Sequence, residues 1–361
     1  MATARPISSQ HVSSPRPAAG WLRRALPLAW LIGLALLPLV VTDEYVIRIC
    51  NVILIYSLLS IGQNVITGYT GMLSLGHAAF FGIGAYASAL LVTQAGWPFP
   101  AALLAAALLA CLCGVAVALP CLRVQSDFLS LVTIAFGSLF TVLALNWITL
   151  TRGPMGLTAI PTPRLGPIDV TSNRDFYYLF LGVVAVAYWG TERIAESQIG
   201  RSWKALRDDE LSAAAMGVDV TYYKVLAFAV GTFLAGAAGS LLAHYFRFIG
   251  PENFSFNESL LTMEMAILGG LASMPGAVLG AAIFIAVPEL LRSEALLIYR
   301  VGIGGLVMIV CMIWRPQGLL GQTGFGRTGA SSLLQRWRGP APAEPELAGA
   351  PAGLPSALGE E

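Results

Sequence analysis

Charge is what this chain has least of. Asp, Glu, Lys and Arg make up 11% of its 361 residues, against about 25% in water-soluble globular chains. The net charge is only +1, so no basic surface for nucleic acid follows, and that partner class is excluded. Histidine occurs three times, at His11, His77 and His244. They are too far apart for a metal knuckle, and H-E-x-x-H is absent. A G-x-x-x-x-G-K-[ST] phosphate loop is also missing, so the chain does not hydrolyse ATP by itself in the usual way. The five cysteines (Cys50, Cys111, Cys113, Cys121 and Cys311) lie in or beside apolar segments. Cys111 and Cys113 point to different faces of one helix, so neither a disulfide framework nor a thiolate metal site follows. They read as small packing residues.

What is present is apolar surface. Hydrophobic residues are 56% of the chain and mean hydropathy is +0.72. The expected fold class is an all-α polytopic membrane protein with about ten transmembrane or re-entrant helices. The candidate spans are Leu26–Val41, then roughly Val46–Thr67, Ser74–Thr93, Phe99–Leu119, Phe128–Leu150 and Phe176–Gly190. After a polar loop come Tyr222–Ala243, Ser259–Ala272, Gly276–Leu291 and Tyr299–Trp314. A crossing needs about 20 residues. Ser259–Ala272 is short, and Gly269-Gly270 and Pro275-Gly276 interrupt it, so it either crosses or re-enters under cover of protein. Residues 1–24 read as a disordered arm, 25–318 as the transmembrane domain and 319–361 as a disordered Pro/Ala/Gly tail. Val40 to Glu44 offers no small-residue cleavage pattern, so the first span is expected to be retained. Fourteen of the 21 lysines and arginines fall on one side, which makes both termini and the polar loop cytoplasmic.

That loop, Glu192 to Thr221, is long enough to fold. From Ile199, the residues Trp203, Leu206 and Ala213 recur at helical spacing on one face. Asp208 and Asp209 can start a short second helix, and Gly217 suits its end. On pattern alone this element either presses against a soluble partner or lies on lipid. A second constellation is the glycine-rich join from Gly62 to Tyr86. Gly68, Gly71 and Gly76 permit close helix approach. Asn64, Thr67, Tyr69, Ser74 and His77 are candidates for a translocation path or for interhelical hydrogen bonds, His77 reading first as such a bond. Glu264 and Glu289 are carboxylates within spans, hence proton-coupling groups or structural partners. Asn146 is expected to be buried by position.

Thr67 to Leu91 (TGYTGMLSLGHAAFFGIGAYASALL) resembles the signature of LivM-type permeases of branched-chain amino acid ABC importers. So do LRVQSDFLSLVTIAFG with the following TRGPMGL, the loop GRSWKALRDDELSAAAMGVDVTYYKVLAF, and AILGGLASMPGAVLGAAIF. There are departures: the carboxylate of E-A-A-x-x-x-G stands at Glu210 rather than at Leu211, and Ser138 replaces a Glu after A-F-G. The resemblance implies a permease subunit carrying Leu, Ile, Val or related amino acids across the bacterial inner membrane. It implies a second, LivH-like permease, two LivG/LivF-like ATPase subunits holding ATP and Mg, and a periplasmic amino acid-binding protein. This chain would bind no cofactor. Trp203 and Leu206 would brace a coupling helix whose Asp208, Asp209 and Glu210 meet the ATPase. The alternatives are a permease for urea or short amides, and an ion-coupled secondary transporter using Glu264, Glu289 and His77.

Overall fold

The computed structural model describes residues 34–38, 41, 43–121, 126–165, 168–290, 300–315 and 318–321. The N-terminal arm, most of the first span, Arg123 and the C-terminal tail lie outside the described residues. Residues 34–38 are helical, and the Leu34 carbonyl accepts a hydrogen bond from the Tyr177 hydroxyl at 2.7 Å.

Helix α1 (Glu44–Gln63) starts where Asp43 accepts the Tyr45 N–H, and it continues as a π-helical segment, Asn64–Tyr69. Then follow α2 (His77–Thr93), α3 (Phe99–Cys121), α4 (Ser126–Asn146) and the single turn α5 (Ile148–Thr151). Helix α6 (Asn173–Glu196) opens on a capping box made by Ser172 and Asp175. It reaches six residues past the expected end, so the first residues of the polar loop belong to it. The loop itself holds α7 (Gln198–Asp208) and α8 (Glu210–Ala215). The rest is α9 (Val220–Phe246), α10 (Phe256–Gly269), α11 (Met274–Leu290) and α12 (Arg300–Trp314). Strand structure is limited to two-residue ribbons, such as β1 (Leu157–Thr158) antiparallel to β4 (Phe248–Ile249), and β2 (Arg164–Leu165) with β3 (Ile168–Asp169).

Four described helices are long and apolar enough to cross a membrane: Glu44–Tyr69, Phe99–Pro120, Leu129–Asn146 and Val220–Phe246. His77–Thr93 and Met274–Glu289 are shorter and apolar. The core forms where α9 meets α1 and α2 with backbones almost touching. A Cβ on Gly84 would lie 2.2 Å from the Gly236 carbonyl oxygen, and one on Gly62 would lie 2.7 Å from that of Gly231. Small residues at a helix crossing permit this approach in lipid, where packing rather than water expulsion drives association.

Helix α2 begins three residues later than expected, because Gly71–Gly76 is non-helical. The short segment expected at Ser259–Ala272 is α10, 14 residues long, or about 21 Å at helical rise. It forms an antiparallel hairpin with α11: Gly269 packs on Gly276, and Gly280 packs on Met265. Its start lies level with the middle of α1. The 3-10 turn Pro251–Phe254 carries Phe254 into contact with Phe81 (5.4 Å), Tyr86 (5.8 Å) and Phe140 (6.4 Å). Just beyond it, Glu258 accepts the Tyr56 hydroxyl at 3.2 Å, and Tyr56 stands halfway along the 26-residue helix Glu44–Tyr69. Asn146 is exposed rather than buried. It donates to the Val142 carbonyl of its own helix, because the side of α4 that carries it faces away from the core.

Candidate functional site

The polar loop folds from its own caps. Ser197 accepts the Ile199 N–H at 3.1 Å and opens α7. Asp209 is extended (φ −161°, ψ 114°), so it ends α7 and caps α8, accepting the Ser212 N–H at 2.9 Å. Backbone N–H donors, Ser212 first and then Leu211, hold its carboxyl below the usual carboxylate range. The cap is therefore formed above the unfolded carboxylate pKa and is lost as pH falls through the lowered value. Gly217 follows α8 at φ +85°, the left-handed stop that glycine accepts without strain.

The apolar face of this pair is buried as its spacing predicts. Trp203 is fully buried, its Nε1 donating to the Tyr223 carbonyl at 2.9 Å and its ring edge-on to Tyr69. Leu206 and Ala213 are buried beside it. Asp208 ends α7 in the open. Glu210 has a partner within the chain. Its carboxylate lies 2.6 Å from Lys224 Nζ on α9, and the Lys224 side chain is only 9% exposed while that of Glu210 is 47% exposed. A buried ammonium needs a paired carboxylate, so Glu210 also fastens α8 to the membrane body while staying half-exposed. The large apolar side chains on the outward surface are Leu211 (83% exposed) and Met216 (85%), beside the exposed Asp208 and Asp209. Sequence reasoning missed both; the signal was two large apolar side chains set off the Trp203–Leu206–Ala213 face.

Helix α7 rests on the break between α1 and α2. Arg207 Nη1 donates to the Gly68 carbonyl at 2.9 Å, a cation at the C-terminal end of α1 where the helix dipole favours it. Lys204 lies over the Tyr69 ring at 5.9 Å. Tyr69, Glu192, Glu196, Lys204, Met274 and Pro275 surround a small hollow of about 90 Å³.

The break is held by side-chain amides. Asn64 donates to the Ser273 carbonyl at 2.8 Å and accepts the Ala272 N–H at 3.0 Å, clamping the α10–α11 turn to the π segment. Gln63 donates to Thr67 Oγ1 and to the Ser74 carbonyl. Thr133 Oγ1 on α4 accepts the Leu75 N–H, and Ser259 Oγ on α10 accepts the Ala78 N–H. Three glycines fit this lacework. A Cβ on Gly68 would fall 1.9 Å from Asn64 Oδ1, one on Gly76 would fall 2.1 Å from the Thr133 carbonyl, and Gly71 has φ +73° against Arg207. Gly68→Ala and Gly76→Ala are therefore expected to cost roughly 1–3 kcal/mol each or more. The readout is melting temperature and yield of the detergent-solubilised protein, and unchanged values for both would contradict this packing.

Among the candidate path residues, Asn64 thus forms the clamp, Thr67 accepts from Gln63 within the π segment's own turn, and Tyr69 supports α7. Ser74 and His77 are fully buried. His77 lies against the Leu59 carbonyl of α1, the neighbour for the interhelical contact expected of it, although among the described residues neither ring nitrogen makes a hydrogen bond of good geometry. Glu264 is half-buried on α10. Glu289 accepts the hydroxyl of Tyr45 at the start of α1, whereas His77 packs against Gly62 near its end, about 25 Å away along the helix. Glu289 and His77 are not brought into one site. Among the described residues no group of three or more His, Cys, Asp or Glu can hold a metal ion.

Comparison with known proteins agrees with this architecture. Residues 45–312 match the family described as branched-chain amino acid transport system / permease component. The chain is 33% identical to the high-affinity branched-chain amino acid transport system permease protein LivM of Salmonella typhimurium, over 87% of this chain and 80% of that protein. It is 35% identical to LivM of Escherichia coli K12, over 77% and 70%. It is 25% identical to the permease protein LivH of Salmonella typhimurium, over 74% and 91%. With a family match across most of its length and relatives above 30% identity, the chain belongs to the permease components of branched-chain amino acid transport systems.

Proposed function

We propose that this chain is one of two homologous permease subunits of an ATP-driven importer of Leu, Ile, Val or related amino acids in the bacterial inner membrane. The observation that carries the reading is the placement of α7 and α8. They present Leu211 and Met216 outward while Arg207 holds the end of α1. A soluble ATPase pressing on that surface displaces α7. The Arg207–Gly68 bond passes the displacement to the π segment, and Asn64 passes it to the turn at Ala272–Ser273. In this reading α7, α8 and both termini are cytoplasmic, which the excess of lysines and arginines assigned to that side supports. ATP and Mg belong to the partner ATPases, and a periplasmic binding protein delivers the amino acid.

The test is reconstitution. Alone in liposomes, the chain should accumulate no leucine, isoleucine or valine. With its homologous permease, both ATPases and the loaded binding protein, it should do so only with ATP. Accumulation by the chain alone under a pH or sodium gradient would overturn the reading in favour of a secondary transporter. ATP-driven uptake of urea or a short amide in place of leucine would reassign the substrate.

A further inference from the structure

We infer that the hollow between α6, α7 and the α10–α11 turn is a cytoplasm-side site for the headgroup of a free α-amino acid, through which imported product restrains transport. The inference rests on the importer reading above and adds regulation to it.

Three observations carry it. The first is the hollow and its charge. Tyr69 ends the π segment, Glu192 and Glu196 lie in the last turns of α6, Lys204 stands on α7, and Met274 and Pro275 open α11. Glu192 and Glu196 are about one helical turn apart and share a face. Burial first, and then Glu196, push the Glu192 carboxyl above the usual carboxylate range, and the adjacent Arg193 offsets less than Glu196 adds. The nearby guanidinium groups are engaged elsewhere. Arg193 lies over the Trp189 ring at 5.5 Å, and Arg207 bonds the Gly68 carbonyl at 2.9 Å. An ammonium entering the hollow relieves the repulsion between the two carboxylates.

The second observation is Tyr69. It is only 3% exposed, and Glu192 and Glu196 face its hydroxyl. Among the described residues that hydroxyl makes no hydrogen bond, and an unpartnered polar group in a buried ring points to a missing ligand. The third is the opposite wall. Lys204 carries its ammonium over the Tyr69 ring, and Met274 and Pro275 form the N-terminal end of the 17-residue α11, where the helix dipole favours an anion. Negative charge on one side and positive on the other match the two ends of a zwitterion. At about 90 Å³ the hollow has the volume of roughly three waters. That admits an ammonium, an α-carbon and a carboxylate but not a whole leucine. The side chain stays outside, so Leu, Ile and Val are held alike.

A bound headgroup ties the end of α6 and the α10–α11 turn to α7. Displacement of α7 by the ATPase opens the hollow, so a ligand that prefers the closed hollow holds this arrangement and slows the cycle. Glu192 and Glu196 take no part in the relay from Arg207 through Gly68 and Asn64. Their charge can be removed without cutting it.

The experiment uses the whole complex in proteoliposomes, with leucine-loaded binding protein outside and ATP inside. The initial rate of labelled leucine uptake is read with and without unlabelled leucine sealed in the lumen. Luminal leucine should slow the wild type about fivefold or more, the low end of ordinary coupling between sites. Luminal leucinamide, which lacks the carboxylate, and 4-methylpentanoate, which lacks the amine, should not. Glu192→Gln and Glu196→Gln, singly and together, should match wild-type uptake into leucine-free vesicles and lose most of the slowing. Glu196 is exposed, so its single variant folds whatever Glu192 contributes to packing. A wild type indifferent to luminal leucine overturns the inference, and so does equal slowing by either analogue. Equal slowing of the wild type and the double variant overturns it too, because leucine then acts by re-entering the path. In each of these cases the importer reading stands. A wild-type complex that imports no amino acid removes the importer reading, and this inference with it.

Discussion

Leucine uptake should drop to background when Leu211 and Met216 are both replaced by aspartate, with the chain still present in the membrane at its normal amount. Both side chains are more than four-fifths exposed and support nothing within the chain, so their loss leaves folding intact. At a protein interface the balance reverses. Burying a leucine or methionine contributes about 1.5–3 kcal/mol, and large apolar anchors at the centre of an interface carry most of its binding energy. Removing two of them weakens association by roughly 100-fold or more. Co-purification with the ATPase subunits, measured beside uptake in the same cells, checks this. An ATPase retained at the wild-type ratio would show that α8 is not the docking surface. Gly217→Leu should act in the same direction with a smaller effect. No atom lies within 4 Å of the Cβ it would add, and only the left-handed turn is strained, by roughly 1 kcal/mol or more.

Glu210→Arg should instead destabilise the chain itself. Lys224 is buried on α9, and Glu210 is its ion-pair partner. Reversing the carboxylate leaves a buried ammonium facing a guanidinium. Breaking a buried pair costs about 3–5 kcal/mol, and the half-exposed Glu210 lowers this to about 2–3 kcal/mol. The expected result is a lower melting temperature and reduced abundance. Glu210→Gln combined with Lys224→Met should restore both, because replacing the two charges together removes the desolvation problem. A wild-type melting temperature for Glu210→Arg would mean that the pair contributes nothing.

The difference between Asp209 and Glu210 shows what was legible in the chain. Caps are local chemistry: a carboxylate ahead of a short alanine-rich run, and a glycine behind it, define α8 without any neighbour. Glu210 depends on Lys224, which reads as the first polar turn of a span until the packing of α9 buries it. Hydropathy located the described helices to within a few residues at most of their ends because each long span is uniformly apolar. The same signal fails for α10. A 14-residue helix that begins level with the middle of α1 is too short for a crossing window, so Asn257 and Glu258 fall just outside the expected Ser259–Ala272. Asn146 failed for a related reason, since hydropathy gives depth and says nothing about which side of a helix meets the core. Asn64 is a candidate for a translocation path or an interhelical hydrogen bond on sequence, but its clamp on Ala272 and Ser273 joins residues more than two hundred apart and has no local signature.

The glycine contacts at the core also limit how the molecule can deform. Where Gly84 meets Gly236 and Gly62 meets Gly231, no side chain lies between the backbones. Side chains act as springs at a helix crossing, because they can change rotamer and let the axes tilt or slide. Bare backbones cannot, so α1, α2 and α9 share one displacement like welded beams. The strain of a transport cycle must then be absorbed at seams where bulky side chains intervene. Described seams of that kind lie beside α4, where the rings of Phe140 and Phe254 meet edge to face, and between α6 and α9, where Phe176 and Phe180 meet Tyr245; such rings can roll over one another.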